Sequence, residues 1–141
     1  MATPLEDVKV PVRIKLAALW VSVMFCYVYG DYFELYTPGK LQDMLQGQMG
    51  SLGPVTQNLL VGTSILMVVP SLMPFLSIAL APALSRWLNV VAGLFYAGLM
   101  LLIATSAGWA FYVFFALVEV ALTLLIVWSA WRWPRQAARV A

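Results

Sequence analysis

The chain has 141 residues, 63% of them hydrophobic and 10% charged, with a mean hydropathy of +0.90; this excludes an ordinary soluble domain and marks an integral membrane protein. A single cysteine allows no internal disulfide, and the lack of histidine removes the usual zinc and haem signatures, so neither a metal nor a cofactor is expected. Formal net charge is only +2, and its distribution says more than its size.

Four apolar runs have the roughly 20-residue length that a hydrocarbon layer of about 30 Å requires: Leu16–Tyr36, Leu59–Leu80, Trp87–Thr105 and Trp109–Trp131. They predict an all-α polytopic protein, a four-transmembrane-helix bundle forming one transmembrane domain over residues 1–141. The first run is too long for the apolar region of a cleavable signal and no small-x-small site follows it, so it is expected to be retained.

That first run ends in MFCYVYGDYFELYTPGK, residues 24–40, which places Asp31 and Glu34 among tyrosines at membrane depth. Tyr27, Asp31 and Glu34 follow one another at i, i+4 and i+7 and therefore share a helix face. Cys26 has no base beside it in sequence and reads as an inert buried thiol. Pro38-Gly39 closes the run, and Leu41, Met44, Leu45 and Met49 then recur at helical spacing opposite Gln42, Asp43 and Gln46, which predicts a short amphipathic helix on the outer surface.

The second run carries Asn58, Thr63 and Ser64 in its outer half and MVVPSLMPFL further in. There Pro70 and Pro74 each remove a helical donor and free the carbonyl four residues earlier, at Leu66 and Pro70, which predicts a kink. In the third run Gly93 and Ala97 form a small-residue seam suited to close helix approach, with Tyr96 near the middle and Thr105 at the outer end. The fourth places Tyr112, Phe115, Glu119 and Thr123 on one face.

Basic residues orient the bundle, because cytoplasmic flanks hold them in excess. Lys9, Arg13, Lys15, Arg86, Arg132, Arg135 and Arg139 fall on one side and only Lys40 on the other, a bias of seven to one that predicts both termini in the cytoplasm. Trp87, Trp128, Trp131 and Trp133 mark the inner interface, and Tyr32, Tyr36, Trp109 and Tyr112 the outer one.

Counted from the outer boundaries, Glu34 lies about 3 Å deep, Asp31 about 8 Å and Glu119 about 15 Å. A charge at the depth of Glu119 costs about 2.5 to 3.5 kcal/mol or more, so such a residue faces a cavity or a partner. No Lys, Arg or His lies within any span. The acids are thus protonated, hydrogen-bonded to neutral groups, or holding a cation supplied from outside. Polar side chains concentrate in the outer half, whereas the inner half reads as mostly Val, Leu, Ile and Phe. The expected site is an outward-facing pocket, not a through-pore, built on Asp31 and Glu119 with Glu34, Tyr27, Asn58, Thr63 and Tyr112.

The segments KLAALWVSVMFCYVYGDYFELYTPGKL, LGPVTQNLLVGTSILMVVPSLM and VEVALTLLIVWSAWRWP together resemble a bacterial family of small four-span integral membrane proteins classed as a domain of unknown function. GDYFELY and VEVALT look like its signature, and they contain the acids that the depth argument selects. The resemblance implies a bacterial inner membrane and no particular activity.

Three functions fit these residues. The first is binding or transport of a proton, a cation or a small lipophilic or cationic molecule in the outer pocket. The second is a structural or accessory bundle whose acids fix helix packing. The third is a membrane enzyme using paired carboxylates on a lipophilic substrate. Expected partners are the lipid bilayer, a small ligand and another copy of the chain in a homo-oligomer, with no nucleic acid; no catalytic residue is assigned.

Overall fold

A computed structural model describes residues 8–106 and 108–134, so Arg135 and Arg139 of the basic set lie outside the described residues. The elements are α1 (Val12–Glu34), α2 (Lys40–Leu45), a single 3-10 turn at Gly50–Leu52, α3 (Gln57–Ala79), α4 (Pro82–Ser106) and α5 (Ala110–Trp131). α1, α3, α4 and α5 are each long and apolar enough to cross a bilayer, which makes the chain a multi-pass membrane protein.

The helices outrun the apolar segments at the basic end. α1 begins at Val12, directly after Pro11, and takes Arg13 and Lys15 into its first turn. α4 starts at Pro82, where a proline's missing N–H costs nothing, so Arg86 belongs to a helix and only Leu80 and Ala81 connect α3 to α4. Thr56 caps α3 by accepting from the Leu59 N–H at 3.2 Å. α2 is shorter than the amphipathic pattern, ending at Leu45, so Met49 lies beyond it. Its Leu41, Met44 and Leu45 are left exposed by the protein, as a helix lying against a membrane surface requires. The chain enters α2 through Gly39 at φ 87°, a left-handed conformation that favours glycine.

α5 packs most extensively on α4 and next on α1, α1 also packs on α3, and α3 meets α4 only lightly. The spatial order around the bundle is therefore α1, α3, α4, α5. α3 is the peripheral member: 11% of its apolar stretch is buried against 39% for α4. Its Ile65, Val68, Leu72 and Phe75 project outward as a lipid-facing surface. The core comes from Leu16, Trp20, Val23 and Tyr27 of α1, Met73 of α3, Val90, Tyr96 and Met100 of α4, and Val120 and Ile126 of α5.

Two sequence features explain how α4 joins its neighbours. A Cβ at Gly93 would stand 2.7 Å from Val127 Cγ2 and 3.2 Å from the Thr123 carbonyl oxygen, so the missing side chain is what lets α5 come this close. On the other flank α3 runs unbroken through Pro70 and Pro74. The Leu66 carbonyl that Pro70 frees accepts a hydrogen bond from the Tyr96 hydroxyl at 2.6 Å, so the helix defect becomes one tether between α3 and α4.

The half of the bundle nearer the basic residues, expected to be mostly Val, Leu, Ile and Phe, also holds a buried polar knot. Asn89 Oδ1 accepts from Trp20 Nε1 at 2.8 Å and from the Ser77 hydroxyl at 3.1 Å, while Asn89 Nδ2 donates to the Ser85 carbonyl at 2.8 Å. The Ser85 hydroxyl donates to the Ser77 carbonyl at 3.1 Å. Asn89, Ser77, Ser85 and Trp20 are all 0% exposed, and the knot ties α1, α3 and α4 together. Arg13 donates to the Ile78 carbonyl at 2.8 Å and Arg86 to the Trp131 carbonyl at 3.3 Å, so two basic residues close the carbonyl ends of α3 and α5.

Candidate functional site

At the end away from these basic residues the bundle opens. α1 presents Tyr27 and Asp31 one turn apart, with Gly30 leaving space on the same face. α5 presents Tyr112, Phe115 and Glu119, and Ala116, one turn before Glu119, leaves similar space. With Met67 of α3 and Met100 and Ile103 of α4 these side chains enclose a chamber of about 80 Å³. Asp31, Met67, Met100, Ile103 and Tyr112 also border a vestibule of about 600 Å³, so the two spaces adjoin. The vestibule is lined by Met49, Ser51 and Leu52 of the segment that follows α2, together with Thr63, Leu66, Leu99, Trp109 and Phe111.

The chamber is blind. Toward the basic end Trp20, Met73 and Tyr96 fill the bundle axis at no more than 1% exposure, and the Asn89 knot lies behind them. Trp20 and Tyr96 meet edge to face with ring centroids 6.0 Å apart.

Glu119 is 4% exposed, and its carboxyl makes no hydrogen bond to the described residues; only its backbone carbonyl is used, by the Thr123 hydroxyl at 2.8 Å. Asp31, unlike Glu119, is exposed; its carboxyl has no hydrogen-bond partner among the described residues, and its side chain borders both spaces. Tyr27 is 7% exposed and its hydroxyl is buried without a partner among the described residues. Four polar side chains, those of Tyr27, Asp31, Glu119 and also Tyr112, thus line one chamber without a side-chain hydrogen bond to the described residues. Lys40, the one described basic residue at this end, is held at the vestibule rim by Glu34 at 2.7 Å and is not among the residues lining the chamber.

The residues expected at the site therefore separate by depth. Tyr27, Asp31, Tyr112 and Glu119 meet in the chamber, whereas Glu34 and Thr63 line the vestibule. Thr63 donates to the Leu59 carbonyl at 3.0 Å, within its own helix. Asn58 is exposed in the first turn of α3 and borders neither space. Met67, Met100 and Ile103 escaped the sequence reading because apolar walls look like any other apolar residue in a span. Gly30 and Ala116 did leave a trace, since small residues beside each deep acid make the room that an uncharged packing contact would not need.

No curated protein and no solved structure matches the chain. Its sequence matches the family of unknown function DUF6326 over residues 9–139, and the chain belongs to that family.

Proposed function

We propose that this protein binds a cation or small cationic molecule in its blind pocket, entered from the outer face of a bacterial inner membrane. The observation that carries the reading is the meeting of Asp31 and Glu119, from different helices, on one chamber with no basic side chain among the described residues that line it. Acids are rare and costly at this depth, and a positive guest offsets that cost where the protein offers none. The vestibule, of mixed apolar and polar lining, falls within the 300 to 1,000 Å³ range of small-molecule sites.

The test is calorimetric titration of the purified protein in detergent with 2-phenylethylamine, its N,N,N-trimethyl analogue and neutral 2-phenylethanol. At least one ammonium should bind saturably and the alcohol should not. Glu119→Gln and Asp31→Asn should each weaken the ammonium by about tenfold or more, the scale of a hydrogen bond to a charged group. Equal binding of the alcohol, or an undiminished response in Glu119→Gln, would overturn the reading.

Orientation follows from charge. Lys9, Arg13, Lys15, Arg86 and Arg132 gather at the closed end, which the positive-inside rule assigns to the cytoplasm. With Cys26 replaced by serine, a cysteine introduced at Gln48 should react with an impermeant maleimide in intact cells and one at Val8 only after lysis. Reaction at Val8 in intact cells would reverse the pocket's direction.

A further inference from the structure

Accepting the cation pocket just described, we infer that its guest is a primary amine, seated with the ammonium in the chamber and an apolar body in the vestibule. A primary ammonium has three N–H donors and no acceptor. The chamber is lined by the carboxylates Asp31 and Glu119, by Tyr112, whose hydroxyl makes no hydrogen bond to the described residues, and by Tyr27, whose hydroxyl is buried with no partner among them. A buried hydroxyl left alone costs free energy, and a guest with an N–H removes that cost. A trimethylammonium group has no N–H and would leave Tyr27 unpaired.

Size points the same way. The chamber has about 80 Å³ against about 600 Å³ for the vestibule, so a compact head fits the inner space and a bulkier body the outer one. Polarity is graded likewise. Tyr27 and Glu119 belong to the chamber alone and Asp31 and Tyr112 to both spaces, while Leu66, Leu99, Trp109 and Phe111 give the vestibule apolar wall beside its polar Thr63 and Ser51 and the Glu34–Lys40 pair. A bare metal ion would use none of that apolar surface, and a hard divalent cation such as calcium needs six or more oxygen ligands. The Tyr27, Tyr112 and Phe115 rings could instead cradle a quaternary ammonium through their π faces. What decides against it is the unpaired hydroxyl and the small chamber.

The same titrations separate this inference from the broader one when the Tyr27→Phe variant is added. That variant gives up no protein hydrogen bond, so it should fold with unchanged or slightly higher thermal stability. In the parent, 2-phenylethylamine should bind about tenfold tighter than its trimethyl analogue, and Tyr27→Phe should remove most of that advantage while leaving the analogue's affinity unchanged. Equal affinity for the two ammoniums in the parent would overturn the primary-amine assignment and leave the cation pocket standing. So would a Tyr27→Phe variant that weakens both equally or neither. Failure of both ammoniums to bind would remove the pocket reading itself.

Discussion

Replacing Asn89 with leucine should lower the stability of the folded bundle by about 2 kcal/mol, although the new side chain has nearly the same volume. Asn89 Oδ1 is the acceptor for both Trp20 Nε1 and the Ser77 hydroxyl, and all three residues are fully buried. The two donors differ in what they can do once the acceptor is gone. Ser77 can turn its hydroxyl back to a carbonyl of its own helix, as serines in membrane helices commonly do. The Trp20 indole N–H is fixed by its ring, which packs edge to face on Tyr96, and has no second partner. Most of the loss therefore belongs to one orphaned donor, about 1 to 3 kcal/mol. A Trp20→Phe change made together with Asn89→Leu should cost clearly less than the two single losses added, because the second substitution removes the group that the first strands. Thermal or denaturant unfolding in detergent of the four proteins gives this cycle. Strict additivity would show that the Trp20 bond contributes nothing. Ammonium binding should survive in all four, because neither residue borders the chamber or the vestibule.

How much of this molecule the sequence discloses depends on whether the relevant force is local. The four spans are legible because lipid acts on each helix separately, and twenty apolar residues in a row satisfy it. Tyr27, Asp31 and Glu119 are legible for a related reason: an acid deep in a span is costly wherever it points, and the helical period puts Tyr27 and Asp31 on one face. Helix ends are less so. Hydropathy reports where lipid begins, while hydrogen bonding and capping carry α1 back to Val12 and α4 back to Pro82. The Asn89 knot was missed because Ser77, Ser85 and Asn89 each lie near the end of a run, where polar residues read as interfacial. Its partner Trp20 is 69 positions away, and nothing in either neighbourhood encodes that meeting. The vestibule is hidden for the same cause, being a gap among helices and a loop that no single segment describes. Pro70 stands between these cases. The freed Leu66 carbonyl was predictable from the chain alone, yet only packing shows that Tyr96 takes it.

Gly93→Ala should destabilise the protein by about 1 to 3 kcal/mol, whereas Gly98→Ala, five residues further along the same helix, should be neutral or gain up to about 1 kcal/mol. Both changes add one methyl group to α4 and both remove a glycine's extra freedom from a helix, so propensity favours alanine at each position. The difference is what the methyl meets. At Gly98 no atom of the described residues lies within 4 Å, but at Gly93 it would stand 2.7 Å from Val127 Cγ2 and 3.2 Å from the Thr123 backbone oxygen. Val127 is β-branched and has few rotamers to retreat into, and the Thr123 carbonyl cannot move without its helix. α5 must therefore shift outward along the contact that is the most extensive in the bundle. Glu119 is one turn before Thr123 on that helix, and its backbone carbonyl accepts the Thr123 hydroxyl, so the displacement reaches the chamber. Ammonium affinity should fall several-fold in Gly93→Ala and stay at the parent value in Gly98→Ala. Melting and titration of the two variants side by side make the check. A Gly93→Ala protein as stable as its Gly98→Ala counterpart would mean that α4 and α5 are not in the close contact that sets the position of Glu119.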